Sequence, residues 1–95
     1  GEGTSTGDDK TSIIFATPDF PGALHSALAS FARRKINLAK IESHPVKERM
    51  WAYLFFVDMI GHVRDKAVKT CIEELKDKTI YLKILGSYPR AKDGL

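Results

Sequence analysis

Hydrophobic positions along the chain follow two periods, one of two residues and one of three to four, which are typical of strands and of amphipathic helices. A β-branched apolar run at 11–17 predicts a first strand, and the segment PDFPG after it has the composition of a turn. Asp19 and Pro21 suit the cap and first turn of a helix. The apolar stripe of that helix is Leu24, Ala27, Leu28, Phe31 and Ala32. Cations at 33–35 lie where the negative end of its dipole is expected.

The second half of the chain repeats this alternation. INLAKIES, starting at Ile36, predicts a second strand, and the apolar segment 50–60 predicts a third, with PVKER as the hairpin loop between them. We expect Pro45 to end the second strand. Residues 62–76 carry a second helical stripe, and the alternating segment 79–88 predicts a fourth strand. The stripe consists of Val63, Ala67, Val68, Cys71, Ile72 and Leu75.

The predicted order is βαββαβ, which is typical of a ferredoxin-like α+β domain, a four-stranded antiparallel sheet with two helices on one face. The third strand is unusual because both of its faces are apolar. Trp51, Tyr53, Phe55, Val57 and Met59 alternate there with Ala52, Leu54, Phe56 and Ile60. An antiparallel sheet with one free face is usually more polar on that face. We therefore expect another subunit or domain to cover it or to extend the sheet.

Length and composition limit the possible classes of protein. A chain of 95 residues with 43% hydrophobic content forms one domain. Its net charge of +3 comes from interspersed charges, as on a solvated surface and not in a nucleic-acid-binding arm. The single Cys71 excludes an internal disulfide, and neither a metal site nor a cofactor is expected. Because there is only one cysteine, a reducing cytoplasm is the expected location. No apolar run is long enough to cross a membrane.

The ends of the chain differ in composition from its centre. Residues 1–10, GEGTSTGDDK, are small, polar or charged, and we interpret them as a flexible linker or a cloning remnant. Residues 91–95 have the same character and are expected to form a flexible tail. The folded domain is therefore expected to span residues 11–90. Polar tails at both ends are consistent with a domain excised from a longer polypeptide.

Three kinds of function compete for the candidate residues. Catalysis is disfavoured because no serine or cysteine lies in a recognisable nucleophile motif, although His25, His44 and His62 are present. An RNA-recognition module is the alternative interpretation, because such modules share this order of elements and stack bases on third-strand aromatics. Trp51, Tyr53 and Phe55 would form that platform, but the basic residue and glycine that open the usual motif are absent.

A small-molecule site is the third possibility. Gly22 permits close approach of a ligand to the backbone, and the first-turn N–H groups of the helix, including those of Ala23 and Leu24, favour a carboxylate. Asn37 offers an amide, and carbonyls near Ser43 are acceptors for an ammonium group. These are the two halves of an amino-acid zwitterion. The residues alone fit a second interpretation equally well, in which Gly22 begins a helix, Asn37 caps a turn and neither binds a ligand.

Several of these segments together resemble a known family. PGALH, followed after one helix by INLAKIESHP, resembles the paired GALV and ESRP motifs of the ACT domain that regulates prephenate dehydratases. GDDKTSIIF, FFVD and LKILGSYPRA resemble other parts of the same domain. The resemblance covers about residues 6–91. It implies a non-catalytic sensor of L-phenylalanine that mediates feedback inhibition of a prephenate dehydratase domain in the same polypeptide, which in some relatives is also fused to chorismate mutase.

The resemblance also implies where the ligand is bound. In the family, L-phenylalanine lies between two ACT domains of a homodimer, one supplying the GALV loop and the other the ESRP strand. The corresponding residues are Gly22, Ala23, Leu24, His25, Asn37, Leu38, Glu42, Ser43, His44 and Pro45. Two of them depart from the family pattern, since His25 replaces an aliphatic residue and His44 replaces arginine. Because histidine titrates near neutrality, ligand affinity is expected to depend on pH between about 5 and 8.

Overall fold

The fold is that of a four-stranded sheet with two helices, described by a computed structural model over residues 9–18, 22–46 and 49–89. The elements follow the predicted order: β1 (Asp9–Pro18), α1 (Ala23–Arg33), β2 (Leu38–Val46), β3 (Arg49–Ile60), α2 (Lys66–Lys78) and β4 (Tyr81–Pro89). All strand pairs are antiparallel, and the order across the sheet is β2-β3-β1-β4. The predicted ferredoxin-like fold is confirmed.

Several strand boundaries differ from the prediction by one or two residues, and two of the differences are informative. β1 begins at Asp9, two residues before the expected start at residue 11, and Asp9 pairs with Pro89 at the end of β4. Pro45 was expected to end β2, but β2 continues to Val46 and Pro45 pairs with Tyr53. Because β2 lies at the border of the sheet, a proline is tolerated there where it would not be in a central strand.

The helix boundaries differ in a similar way. The second helix was expected from residue 62, but α2 begins at Lys66. The preceding residues form a turn in which the His62 N–H donates to Asp65 Oδ2 at 2.9 Å, and Asp65 is the N-cap residue. α1 begins at Ala23, immediately after Gly22. The predicted roles of Asp19 and Pro21 lie outside the described residues.

The core lies between the helices and one face of the sheet. Phe15 of β1 and Phe55 of β3 are neighbours across the strands, with ring centroids 5.3 Å apart. Both helices contribute to the same cluster, Phe31 from α1 and Leu75 from α2 among others. Since antiparallel partners share a face, alternate residues of every strand point toward this core. Both helices therefore cover one face, as the sequence predicted.

The opposite face of the sheet is partly apolar, with Ile14, Leu54 and Phe56 half-buried there. At one end of this face, Ser12 Oγ lies 2.5 Å from both Asp58 Oδ1 and Tyr88 Oη. These hydrogen bonds tie three strands together. The expectation that another subunit or domain covers this face stays a prediction.

The turn before α2 requires a glycine. Gly61 has φ of +136°, and a Cβ atom there would lie 2.7 Å from Val68 Cγ2. Its amide donates to the Asp9 carbonyl at 2.8 Å, and its carbonyl accepts from Thr11 Oγ1 at 2.7 Å. The turn is therefore attached to β1 by two hydrogen bonds.

The two helices are linked on their outer side by an ionic cluster around Glu74 of α2. This carboxylate accepts from Ser30 Oγ at 2.6 Å, from Arg34 at 2.8 Å and from Lys78 at 3.0 Å, and it also pairs with Arg33. Burial and then the charges of Arg33 and Arg34 hold the pKa of Lys78 below its usual value. Three cations share one carboxylate, so the cluster keeps a net positive charge.

Cys71 is fully buried in the core, and burial raises the pKa of its thiol to about 11. Because the thiolate is the reactive form, we expect iodoacetamide to leave Cys71 of the folded protein unmodified near pH 8 and to modify it in urea. Mass spectrometry of both samples provides the measurement. Fast labelling without denaturant would contradict this assignment.

The same shift has a consequence for stability. The folded pKa lies above the value of 9.0 expected for an exposed thiol, so the folded state retains a proton that the unfolded state loses. The contribution of Cys71 to the free energy of unfolding is therefore fully present below pH 9 and is lost as pH rises from 9 toward 11.

Candidate functional site

A cavity of about 230 Å³ opens where the start of α1 meets the neighbouring ends of three strands. Its lining is mostly apolar, with hydroxyl groups at several points. The residues are Thr17 and Pro18 of β1, Ala23 and Leu24 of α1, Ser43 of β2, and Tyr53 and Phe55 of β3. Such a mixture of an apolar wall and a few polar groups is typical of small-molecule sites.

The start of α1 gives this region its anion-binding character. Gly22 is the N-cap residue, with φ of +87°, and as a glycine it supplies no side-chain cap. Among the described residues, no atom lies within 4 Å of the position that a Cβ atom on Gly22 would take, so they leave the backbone open to approach there. The Gly22 carbonyl accepts the first helical bond from the Ser26 N–H at 2.8 Å. The N–H groups of the first turn have no intrahelical acceptors and carry the positive end of the dipole.

Strand alternation divides the IESHP segment between two faces of the sheet. Ser43 pairs with Phe55 and so lies on the core side, where it lines the cavity. Its neighbours Glu42 and His44 point to the opposite face. There His44 makes an edge-to-face contact with Phe56 at 5.7 Å, and Glu42 pairs with Lys40 at 3.7 Å.

The structure brings together only part of the predicted site. Ala23, Leu24 and Ser43 line the cavity within one chain, and Gly22 directly precedes Ala23, whereas the resemblance implies that the two motifs come from different subunits. His25 and Pro45 are exposed, and neither lines the cavity. His44 does not line the cavity either, because it packs against Phe56 on the opposite face. The pH dependence of affinity that was expected from His44 stays a prediction.

Asn37 and Leu38 lie at the other end of α1. Asn37 is exposed, and Leu38 packs against the core. Because α1 has 11 residues, its two ends are about 16 Å apart. Within one chain, Asn37 and Gly22 are therefore too far apart to contact the same small ligand.

Sequence reasoning missed four lining residues: Thr17, Pro18, Tyr53 and Phe55. A signal existed in the register of the sheet. Thr17 pairs with Tyr53, and Ser43 pairs with Phe55, so the three strand ends meet beside the first turn of α1. The antiparallel hairpin was predicted, but its register depends on the loop and a bulge that the residue pattern does not specify.

The alternative of an RNA-binding platform is contradicted at Phe55, one of the three aromatic residues that it requires. Phe55 is only 4% exposed and packs against Phe15 beneath the helices. Tyr53 lies on the same side and lines the cavity. An RNA-recognition module would present these rings on the free face of the sheet, where a base can stack. The apolar alternation of β3 instead serves the core.

Two other kinds of site have no candidate among the described residues. No group of three or more His, Cys, Asp or Glu side chains is placed to hold a metal ion in that part of the chain. Of the helices that the structure describes, none has the length and hydropathy to cross a membrane.

Comparison with known proteins agrees with the fold and the motifs. The family model "ACT domain" matches residues 11–77. A bifunctional chorismate mutase/prephenate dehydratase from Aquifex aeolicus is 55% identical over 86 residues, which is 90% of this chain and 24% of that protein. The structure of prephenate dehydratase from Arthrobacter aurescens in complex with L-Phe superposes with a TM-score of 0.89 and 38% identity, over 96% of this chain and 30% of that one.

A second solved structure, described as the quorum quenching acylase GqqA, superposes equally well. Its TM-score is 0.90 at 26% identity, over 96% of this chain and 47% of that one. The chain thus spans about a quarter of the curated relative named above and less than half of either solved chain. The family match covers most of the described elements, from β1 to α2. This chain belongs to the ACT domain family.

Proposed function

We propose that this chain is the regulatory ACT domain of a prephenate dehydratase and that it binds L-phenylalanine as a feedback inhibitor. The observation that carries the proposal is the cavity that joins the first turn of α1 to Ser43 of β2. The relatives that are prephenate dehydratases, one of them in complex with L-Phe, support the choice of ligand. Dehydration of prephenate belongs to a catalytic portion outside this segment.

The ligand is held by its two ends. Its carboxylate lies at the first turn of α1, where Gly22 has no side chain to obstruct the backbone. Its ring lies against Leu24 and Phe55 in the apolar part of the cavity. Burial of a phenyl ring contributes roughly 1.5 to 3 kcal/mol, so contacts with the zwitterion supply the remaining affinity.

A homodimer completes this site. β2 lies at the border of the sheet and its residues from Ala39 to Pro45 are exposed, with Ile41 43% exposed. If two copies pair antiparallel through β2 about a two-fold axis, the start of one strand meets the end of the other. The partner's Asn37 then comes to the end of β2 that carries Ser43, so that residues that lie apart in one chain come to the same side of the dimer.

Calorimetric titration of the full chain with L-phenylalanine tests the proposal. We expect binding by L-phenylalanine and none by L-alanine, which has the same zwitterion but lacks the ring. Sedimentation measured with and without L-phenylalanine should also show a shift toward dimer, because a ligand held by both subunits favours their association. Absence of heat with L-phenylalanine, or equal binding of L-alanine, would refute the proposed ligand.

A further inference from the structure

A second surface, distinct from the cavity, lies on the other side of the molecule between α2 and β4. It is a groove of about 510 Å³ whose floor is formed by Val63, Ile72 and Ile84. Its rim carries three cations and one acid: Arg64, Lys69, Lys76 and Glu73. Because the rim has a net positive charge above an apolar floor, the groove complements a group that is both acidic and partly apolar.

A second hollow lies on the same side of the molecule. This smaller cavity, of about 170 Å³, is at the start of β4, and Lys76 lines both it and the groove. The second cavity includes Ile80 and Leu82, and also Tyr81 at the start of β4, whose pairing with Ala16 directs its side chain toward the open face. An extended occupant fits this shape better than a compact ion does.

The strand beside the groove is available for pairing. Among the described strands, β4 is at the border of the sheet, bonded to β1 on one side only. It also carries exposed apolar side chains, with Tyr81 50% and Leu85 51% exposed. A border strand with exposed apolar residues is a template for the addition of another strand.

We propose that the β4 border and its groove bind an extended peptide segment in which acidic and apolar residues alternate. Side chains of an added strand point alternately to the two faces of the sheet. Those on the helix side reach Lys69 and Lys76, which favours glutamate or aspartate. The peptide side chains on the other side lie beside Tyr81, which pairs with Ala16 on the open face. Contact with this ring favours apolar residues at those peptide positions.

A second copy of this chain is a poorer occupant. If two β4 strands paired about a two-fold axis, each copy would place its own cationic rim near that of the other. Like charges facing each other disfavour this arrangement. The occupant is therefore a segment with acidic character and not another β4 strand.

The test uses the full 95-residue chain and two fluorescent peptides of about eight residues, a length within the usual range of strands. One peptide alternates glutamate with valine and the other alternates lysine with valine. We expect fluorescence anisotropy to show binding of the glutamate peptide alone. Amide NMR shifts should change along β4 and not along β2.

Charge-reversal variants locate the contact. The double variant Lys69→Glu with Lys76→Glu should weaken binding of the glutamate peptide by about tenfold. The matched control combines Lys66→Glu with Lys40→Glu, which changes net charge equally at positions outside the groove. Equal loss in both double variants, equal binding of the two peptides, shifts confined to β2, or no binding of the glutamate peptide would each overturn the proposal.

Discussion

Replacing Ser43 by tryptophan should weaken binding of L-phenylalanine by about 100-fold. Ser43 lines the cavity from the border strand, so a bulky ring at this position fills the space that the ligand ring requires. The size of the loss follows from ring burial, since roughly 1.5 to 3 kcal/mol corresponds to about 10- to 150-fold in affinity. Calorimetry with the variant provides the measurement.

The control for this prediction is Lys40→Trp. Lys40 is exposed on the same strand but pairs with Asp58 on the opposite face of the sheet. The Lys40→Trp variant introduces the same ring at the border of the sheet, but outside the cavity. Its affinity for L-phenylalanine should therefore stay near that of the parent chain. Equal losses in the two variants would indicate that β2 pairing, and not the cavity, determines affinity.

Replacing Gly61 by alanine should lower the free energy of unfolding by about 2 to 4 kcal/mol. The φ of +136° strains any residue with a Cβ atom, and that atom would lie 2.7 Å from Val68 Cγ2 in the buried part of α2. For a domain of this size the loss corresponds to a decrease in Tm of more than about 10 °C. Thermal unfolding followed by circular dichroism measures it.

Gly22→Ala separates the two contributions to this loss. Gly22 also has a positive φ, +87°, but no atom of the described residues lies within 4 Å of the position that a Cβ atom would take there. Only backbone strain remains, so we expect a loss of about 1 kcal/mol. If the two variants lost equal stability, contact with Val68 would not be the cause at Gly61.

The order of elements could be predicted from the sequence because it depends on local periodicity. The apolar stripe from Leu24 to Phe31 and the alternation of Ile80, Leu82 and Ile84 each identify an element without reference to the rest of the chain. The turn before α2 could not be predicted in this way. Val63 is buried at a helical spacing from Ala67, yet it belongs to a turn stabilised by Gly61 and Asp65.

The candidate site was predictable only in part, because its motifs are contiguous in sequence but their side chains are not on one face. A motif match includes Glu42, Ser43 and His44 together, whereas strand geometry sends Ser43 to the cavity and its two neighbours away from it. Tyr53 and Thr17 line the cavity because the pairing of β1 with β3 places them side by side there. No pattern within one segment carries that information.

The pairing of Asp9 with Pro89 determines how the domain responds to force. Because β1 and β4 are antiparallel, tension applied at these two positions would separate the strands one hydrogen bond at a time, as in unzipping, instead of loading all bonds at once by shear. Separation would begin at the end of the sheet where Gly61 bonds to Asp9 and Ser12 bonds to Tyr88. Neighbouring segments attached there would thus act on the sheet through its mechanically weakest direction.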